Sequence, residues 1–240
     1  NKQNIVMQHT AEIIHSDVLF GAFIANLSKI YPEKLEDFKQ LFNKDKIRFS
    51  SAFFCLRENS TGKIIYLLPK PFILDFFKID EHIDRKTVKK VKFISKGVYE
   101  KGITPTKWFS EKCIMPDNKC VFLKDELSDY NHKFDLYEKV NLQKVKVHTE
   151  EYENNLYAQT DIMLMGSENY QVNWYFLVDE QLSDDDTIIF NKTLDLMVMN
   201  GIGGERSTGS GAIESIEIIN DFYIKPDNST NQQLILSLAF

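Results

Sequence analysis

The glycine-rich loop of this sequence reads Asn200-Gly201-Ile202-Gly203-Gly204-Glu205-Arg206-Ser207-Thr208-Gly209-Ser210-Gly211 and holds five of the ten glycines in the chain. Glycine adopts positive φ without steric cost and has no side chain, so the backbone N–H groups of such a loop can approach a ligand closely. Successive N–H groups form an anion-binding concavity, and the Arg206 guanidinium with its neighbouring hydroxyls suits phosphate oxygens. The loop therefore predicts contact with a phosphate-bearing partner, and a long flexible turn is the alternative.

Two well-known phosphate loops do not match this segment. A Walker loop needs Gly-Lys-Ser/Thr after its glycines, and none follows here. A dinucleotide-binding loop joins a strand to a helix, whereas this one is predicted to join a helix, Ile188 to Met199, to a strand, Ala212 to Ile219, with Gly201 ending the helix. These departures, with the lack of a metal-holding carboxylate set, disfavour a nucleotide-binding or phosphotransfer protein.

The N-terminal part of the chain predicts two helices. Apolar residues recur at helical spacing from Asp17 to Ile30, and Ser16 or Asp17 is placed to cap this helix. Pro32 to Phe42 begins with proline and acidic residues, which a helix N-terminus favours.

A β-hairpin is predicted next. Two β-rich runs, Ile47 to Leu56 and Lys63 to Leu68, flank the turn signal at residues 58–62. Pro69 and Pro71 end the second run, because neither can donate to a strand ladder, and they hold Lys70 in an extended conformation.

The remaining elements favour an α+β fold. Residues 75–145 are lysine-rich and predict insertions and short helices, whereas Leu156 to Met165 and Val172 to Val178 predict a strand pair, and Leu234 to Phe240 a last strand. The order of elements predicts two ferredoxin-like (RRM-like) lobes with a lysine-rich insertion, residues 1–144 and 145–240, the first strand of the first lobe being missing. Such lobes present an open sheet that often binds single-stranded RNA.

Composition indicates a folded protein, with 43% hydrophobic, 12% aromatic and 27% charged residues. Its three cysteines form no CxxC pair, which indicates a reducing compartment, so we expect a cytoplasmic protein. No apolar run approaches the roughly 18 residues that cross a bilayer, and no membrane partner is expected.

Charge is divided unevenly along the chain. The net charge of −6 argues against indiscriminate coating of nucleic acid. Residues 1–77 have 10 basic and 8 acidic groups, residues 78–146 have 16 and 11, and residues 147–240 have 3 and 16. The basic part is the natural place for an anionic partner, and a solvated surface without a partner is the alternative. Arg206 is one of the three cations in the acidic last stretch.

Residues 201–211 closely resemble the G-loop of the RAMP proteins of CRISPR effector complexes, in the form typical of the fourth subunit of the type III-A Csm complex. Three further segments match that family in the expected order: Ile14-His15-Ser16-Asp17-Val18-Leu19-Phe20-Gly21-Ala22, Leu67-Leu68-Pro69-Lys70-Pro71-Phe72 and Asn155-Leu156-Tyr157. Two features depart from the family: the N-terminal strand with its His-Phe-Gly-type ending is absent, and Ala212-Ile213 stands where an aromatic residue is common.

The resemblance implies a non-catalytic subunit that serves antiviral defence. Members of this family hold the repeat-derived 5′ handle of the CRISPR RNA and join the large polymerase-like subunit to the backbone RAMP subunit. No cofactor, metal ion or catalytic residue is expected. The residues expected to bind RNA are His15, Ser16, Lys70, Gly201, Gly203, Gly204, Arg206, Ser207, Thr208, Gly209, Ser210 and Gly211.

Several of these residues have simpler interpretations. His15 precedes a helix N-terminus, where an anion is favoured, and local packing is its alternative. Lys70 can reach a phosphate or be solvated, and Asp17 is expected to cap rather than bind metal. Trp108 and Phe109 can stack on a base or fill a core. The other four histidines show no metal-ligand spacing.

A RAMP endoribonuclease that cuts the CRISPR precursor is the alternative function. RNA cleavage of this type needs a positioned general base and acid beside a cation that stabilises the phosphorane. His15 and Arg206 supply such a pair if the fold brings them together.

Overall fold

A computed structural model describes residues 6–8, 11–72, 74, 85–110, 112–117, 119–128, 135–146, 155–204, 206, 209–220, 222–224 and 236. The described chain is mixed α+β, as predicted. Its strands are β1 Val6–Gln8, β2 Ile47–Phe49, β3 Phe53–Glu58, β4 Ile64–Pro69, β5 Phe93–Ser95, β6 Cys113–Ile114, β7 Cys120–Leu123, β8 Tyr137–Lys146, β9 Asn155–Leu164, β10 Tyr170–Tyr175 and β11 Val178–Glu180. Its α-helices are α1 Ser16–Ile30, α2 Leu35–Asn43, α3 Arg85–Lys90, α4 Lys96–Glu100 and α5 Asp184–Asn200, with 3-10 turns at Pro32–Lys34 and Pro105–Lys107.

The chain forms two compact units. The sheet unit comprises Asn1–Glu12 and Phe54–Trp174, and the helix unit comprises Ile13–Phe53 and Tyr175–Phe240. These boundaries differ from the predicted lobes 1–144 and 145–240, because each unit combines segments from both halves of the chain. The helix unit, for example, packs α1 against α5, which are separated by more than 150 residues of sequence.

The main sheet of the sheet unit places six described strands in the order β10-β3-β4-β5-β7-β6. The hairpin β3–β4 is antiparallel, with Cys55 opposite Tyr66, which confirms the predicted hairpin. Three of the strands, β5, β6 and β7, lie in the region predicted to hold insertions and short helices, so that prediction was incomplete. Each of these three strands is two to four residues long, too short to show an alternating pattern in the sequence.

A second sheet of the same unit has the order β1-β9-β8 in the described residues. The hairpin β8–β9 runs through ten residue pairs, from Tyr137 opposite Leu164 to Lys146 opposite Asn155. The predicted pairing of β9 with the next strand was wrong, since β10 borders β3 in the other sheet. A short strand, β1, precedes α1 and pairs parallel with β9, and the missing first strand of the first lobe stays a prediction.

The apolar run Ile47 to Leu56 forms two strands instead of the predicted one. Ser50 and Ser51 interrupt it: the Ser50 hydroxyl accepts the Leu177 N–H at 2.8 Å, and the Ser51 hydroxyl accepts the Ser16 N–H at 3.2 Å. β2 pairs with β11 in the helix unit, while β3 joins the main sheet. Hydropathy alone therefore predicts one strand here, and two buried serines divide it into two.

The helix unit is built around an aromatic core. Phe23 on α1 is fully buried, and its ring lies 5.0 to 5.9 Å from the rings of Phe38, Phe42, Phe49 and Phe190. α5 begins four residues before the predicted start, because the Ser183 hydroxyl accepts the Asp186 N–H at 3.2 Å and caps the helix. None of the described helices is long and apolar enough to cross a membrane.

The predicted strand Ala212 to Ile219 does not form. These residues have no strand partner in the described chain, and Ile218 is 61% exposed. A β-rich sequence forms a strand only where a neighbour completes the ladder. The last predicted strand, residues 234–240, lies outside the described residues except for Leu236, whose carbonyl accepts the Ser51 N–H at 2.7 Å.

Glu12 makes the sheet unit sensitive to acid. Burial raises the pKa of Glu12, but hydrogen bonds from Lys92, Lys139 and Tyr137 outweigh it and lower the pKa to about 2. Because the folded pKa is depressed, the stabilisation is complete above about pH 4.5 and is lost as the pH falls toward 2. The carboxylate is partly solvated, so we expect Glu12→Gln to lower the free energy of unfolding by about 1–2 kcal/mol at neutral pH. In urea titrations, the free energies of unfolding of wild type and variant should converge at about pH 2. An equal difference between them at neutral pH and at pH 2 would contradict this prediction.

Candidate functional site

The C-terminal end of α5 leads into the glycine-rich loop. Gly201 ends the helix as predicted, with φ of 69°, and its N–H donates to the Met197 carbonyl at 2.8 Å. The last helical residue, Asn200, donates its side-chain amide to the Oδ1 atom of Asn26 on α1 at 2.6 Å. The point from which the loop departs is therefore fixed to a buried position of α1.

The loop closes at a narrow neck formed by Gly201, Ile202 and Gly211. The Ile202 N–H donates to the Gly211 carbonyl at 2.8 Å. A Cβ on Gly201 would lie 2.6 Å from the Gly211 oxygen, and a Cβ on Gly211 would overlap the Ile202 oxygen. Gly211 also has φ of 74°, in the region that disfavours side chains. Glycine is therefore required at both ends of the loop by close backbone approach.

The outer part of the loop is open. Gly203 and Gly209 have φ of 101° and 89°, and a Cβ added to either, or to Gly204, would have no neighbour within 4 Å among the described residues. Arg206 is exposed, and its carbonyl accepts the Gly209 N–H at 3.1 Å. Among its described residues, this edge combines one guanidinium with three glycines whose backbone has no side chain, an arrangement that suits an anion. Ser210 is half-buried, and the predicted contacts Ser207 and Thr208 lie outside the described residues.

His15 occupies the N-cap position of α1, where Ser16 or Asp17 was expected. Its backbone is extended and its carbonyl accepts the N–H groups of Val18 and Leu19, at 3.1 and 3.3 Å, while its side chain makes no capping bond. The Asp17 carboxylate still accepts the Val18 N–H at 2.8 Å, so it does bind the first turn. His15, Ser16 and the glycine-rich loop all belong to the helix unit.

Lys70 belongs to the other unit and is held by hydrogen bonds. Its Nζ donates to the Val88 carbonyl on α3 at 3.0 Å, and its backbone N–H donates to the Lys92 carbonyl at 2.8 Å. The side chain is half-buried. The structure thus gives Lys70 a role in fixing α3, and its contact with RNA stays a prediction.

The aromatic pair Trp108 and Phe109 is divided between core and surface. Trp108 is 1% exposed and donates its Nε1–H to the Ile103 carbonyl at 3.0 Å, so it fills the core. Phe109 is 43% exposed. Among the described residues, no group of three His, Cys, Asp or Glu side chains is arranged to hold a metal ion.

Comparisons with known proteins agree with the motif resemblance. No family model matches the chain. A curated protein of Methanocaldococcus jannaschii, "CRISPR system Cms protein Csm4", is 27% identical over 239 residues, covering 89% of this chain and 61% of the relative. The crystal structure of the Csm3-Csm4 subcomplex in the type III-A CRISPR-Cas interference complex matches with a TM-score of 0.59 and 26% identity, covering 87% of this chain and 64% of that chain.

The chain is similar to Csm4 in sequence and in fold. It spans about three fifths of the length of the Csm4 proteins that it matches. The loop that was predicted from its glycines is thus part of a Csm4-like fold. One feature of the site was not predicted: the Asn26–Asn200 bond joins residues 174 positions apart, which the sequence does not reveal.

Proposed function

We propose that this Csm4-like chain is a non-catalytic, RNA-binding subunit of a type III-A Csm complex in the cytoplasm, built of two ferredoxin-like lobes. It holds the repeat-derived 5′ handle of the CRISPR RNA and joins the large polymerase-like subunit to the backbone RAMP subunit in antiviral defence. The observation that supports this most is the glycine-rich loop itself, where Arg206 is exposed and the described glycines of the outer edge, Gly203, Gly204 and Gly209, have open space around them.

The partners in this proposal come from the likeness to Csm4. In the matching crystal structure, Csm4 is in a subcomplex with Csm3, which supports a backbone RAMP subunit as neighbour. The large polymerase-like subunit is proposed as the other partner because four sequence segments resemble that family. The strongly acidic last stretch, residues 147–240, leaves acidic surface for protein neighbours.

Arg206→Ala should weaken binding of handle-containing RNA. A lost charge-assisted contact costs about 1–3 kcal/mol, equivalent to roughly a 5- to 150-fold rise in Kd. Because the net charge of −6 gives little general attraction, the isolated chain is expected to bind weakly and is best titrated at low salt, by fluorescence anisotropy. Lys192→Ala is the matched control, because it removes an exposed cation from the same acidic stretch, on α5. Equal affinities of wild type and Arg206→Ala at one salt concentration would count against the loop as a contact.

The complex itself provides the test of the wider proposal. Affinity purification of the chain from its native host is expected to recover CRISPR RNA together with a polymerase-like subunit and a backbone subunit. Incubation of the pure chain with labelled repeat RNA should leave the RNA intact. Cleavage that disappears in His15→Ala would instead establish the endoribonuclease and overturn the non-catalytic assignment.

A further inference from the structure

The short helix α3 exposes a dense group of cations. Arg85, Lys86, Lys89 and Lys90, the α3 cation cluster, are all exposed, whereas Val88 is 1% exposed. The spacing makes Arg85 and Lys89, and likewise Lys86 and Lys90, i,i+4 neighbours on the helix surface. Like charges at that spacing destabilise a helix by a few tenths of a kcal/mol per pair. An anion bound across the cluster would remove this repulsion.

The cluster is held on a rigid base. Val88 and Val91 pack in one buried core cluster with Ile94, Val98 and Trp108. The Lys70 ammonium donates to the Val88 carbonyl at 3.0 Å and brings a fifth positive charge to the same helix. The cations therefore have a fixed position in the sheet unit and are not on a free tail.

Five other lysines of the sheet unit pair with carboxylates. Lys96 pairs with Glu100 at 3.1 Å and Lys101 with Asp125 at 3.4 Å. Further pairs are Lys92 with Glu12, Lys119 with Asp135 and Lys139 with Glu12. Within the described residues, Arg85, Lys89 and Lys90 have no such carboxylate. Three cations without such a partner therefore lie within the six residues of one short helix.

We infer that the α3 cation cluster is a second RNA contact surface, in the sheet unit, which binds the phosphates of single-stranded RNA without regard to sequence. This inference rests on the proposed function for the identity of the nucleic acid. Phosphate is favoured over a protein partner because α3 exposes four cations and buries its valine, whereas the centre of a protein interface is apolar. Lys70 acts as a positioning residue of this surface through its bond to Val88.

The salt dependence of binding tests the surface. The full chain with Arg85→Gln, Lys89→Gln and Lys90→Gln is titrated by anisotropy with a handle-containing RNA and with an oligouridylate of equal length, between about 50 and 200 mM salt. Each phosphate contact on a single strand contributes about 0.7 to the slope of log K against log salt, so the slope should fall by about 2. Both RNAs should lose affinity by the same factor. The matched control is Lys29→Gln, Lys44→Gln and Lys192→Gln, which removes three exposed cations of the helix unit and should keep the wild-type slope.

Each outcome decides the proposal. If the α3 variant keeps the wild-type slope of log K against log salt while Arg206→Ala binds RNA more weakly, the second surface is overturned and the proposed function stands. A loss restricted to the handle RNA overturns sequence-independent contact. If the α3 variant binds RNA normally but no longer co-purifies with the protein subunits, α3 is a protein interface. If the wild-type chain binds no RNA at the lowest salt, both this surface and the proposed function are overturned.

Discussion

Gly211→Ala is expected to lower the affinity for handle RNA at least tenfold, about 1.4 kcal/mol. The substitution acts twice on the loop neck. An L-residue in the left-handed region costs about 1–2 kcal/mol, and here φ is 74°. The new Cβ would also overlap the Ile202 carbonyl oxygen. The chain can relieve that overlap only by moving Ile202 away from Gly211, which breaks the hydrogen bond that closes the loop.

Alanine variants of two other glycines separate the effect of backbone strain from the effect of steric overlap. Gly62→Ala, in the β3–β4 turn, imposes the same strain with φ of 73° but meets no atom within 4 Å, so it should lower stability slightly and leave RNA binding unchanged. Gly204→Ala has neither positive φ nor a neighbour. A loss of affinity in that variant therefore reports RNA lying against the backbone. If Gly211→Ala binds handle RNA with the affinity of the wild type in anisotropy titrations, a closed neck is not needed for binding.

Local sequence signals predicted the elements that depend on neighbouring residues. α1, the β3–β4 hairpin and the end of α5 at Gly201 all agree with capping, turn and periodicity rules. The sequence also predicted a loop whose backbone needs glycine, and the structure shows that need at Gly201 and Gly211. The sequence could not show which of the five glycines sit at the neck and which are open.

Predictions failed where the outcome depends on distant partners. Ile47 to Leu56 is one apolar run in sequence, and it divides at Ser50 because Leu177, 127 positions away, supplies a hydrogen bond. β9 was assigned to β10, its neighbour in sequence, although β8 offered alternating Val140 and Leu142 as a signal. The division into units also depends on long-range packing of α1 on α5. Periodicity describes one face of an element and does not identify its partner.

Phe23→Ala is expected to have the largest effect on stability, because the Phe23 ring contacts aromatic rings from three other elements, α2, β2 and α5. Truncating a fully buried phenylalanine leaves a cavity and costs about 3–5 kcal/mol of unfolding free energy. The Phe190 ring, 5.0 Å away on α5, loses its main partner on α1. The helix that ends at the glycine-rich loop would keep the Asn26–Asn200 bond and the buried side chains of Leu194 and Met197.

Hydrogen exchange is the suitable measurement, because a chain with two compact units need not unfold in one step. Amides of α1 and α5 should lose most of their protection in Phe23→Ala. Phe20→Ala is the matched control: the same side chain is removed from the same helix, but Phe20 is 37% exposed and stacks edge-on with Phe42 at 4.9 Å. Its cost should stay near 1 kcal/mol, in the usual range for a partly exposed site. RNA affinity in Phe23→Ala should fall in proportion to the folded fraction of the helix unit. Equal protection in the two variants would show that the aromatic core does not hold α5, and the loop at its end, in place.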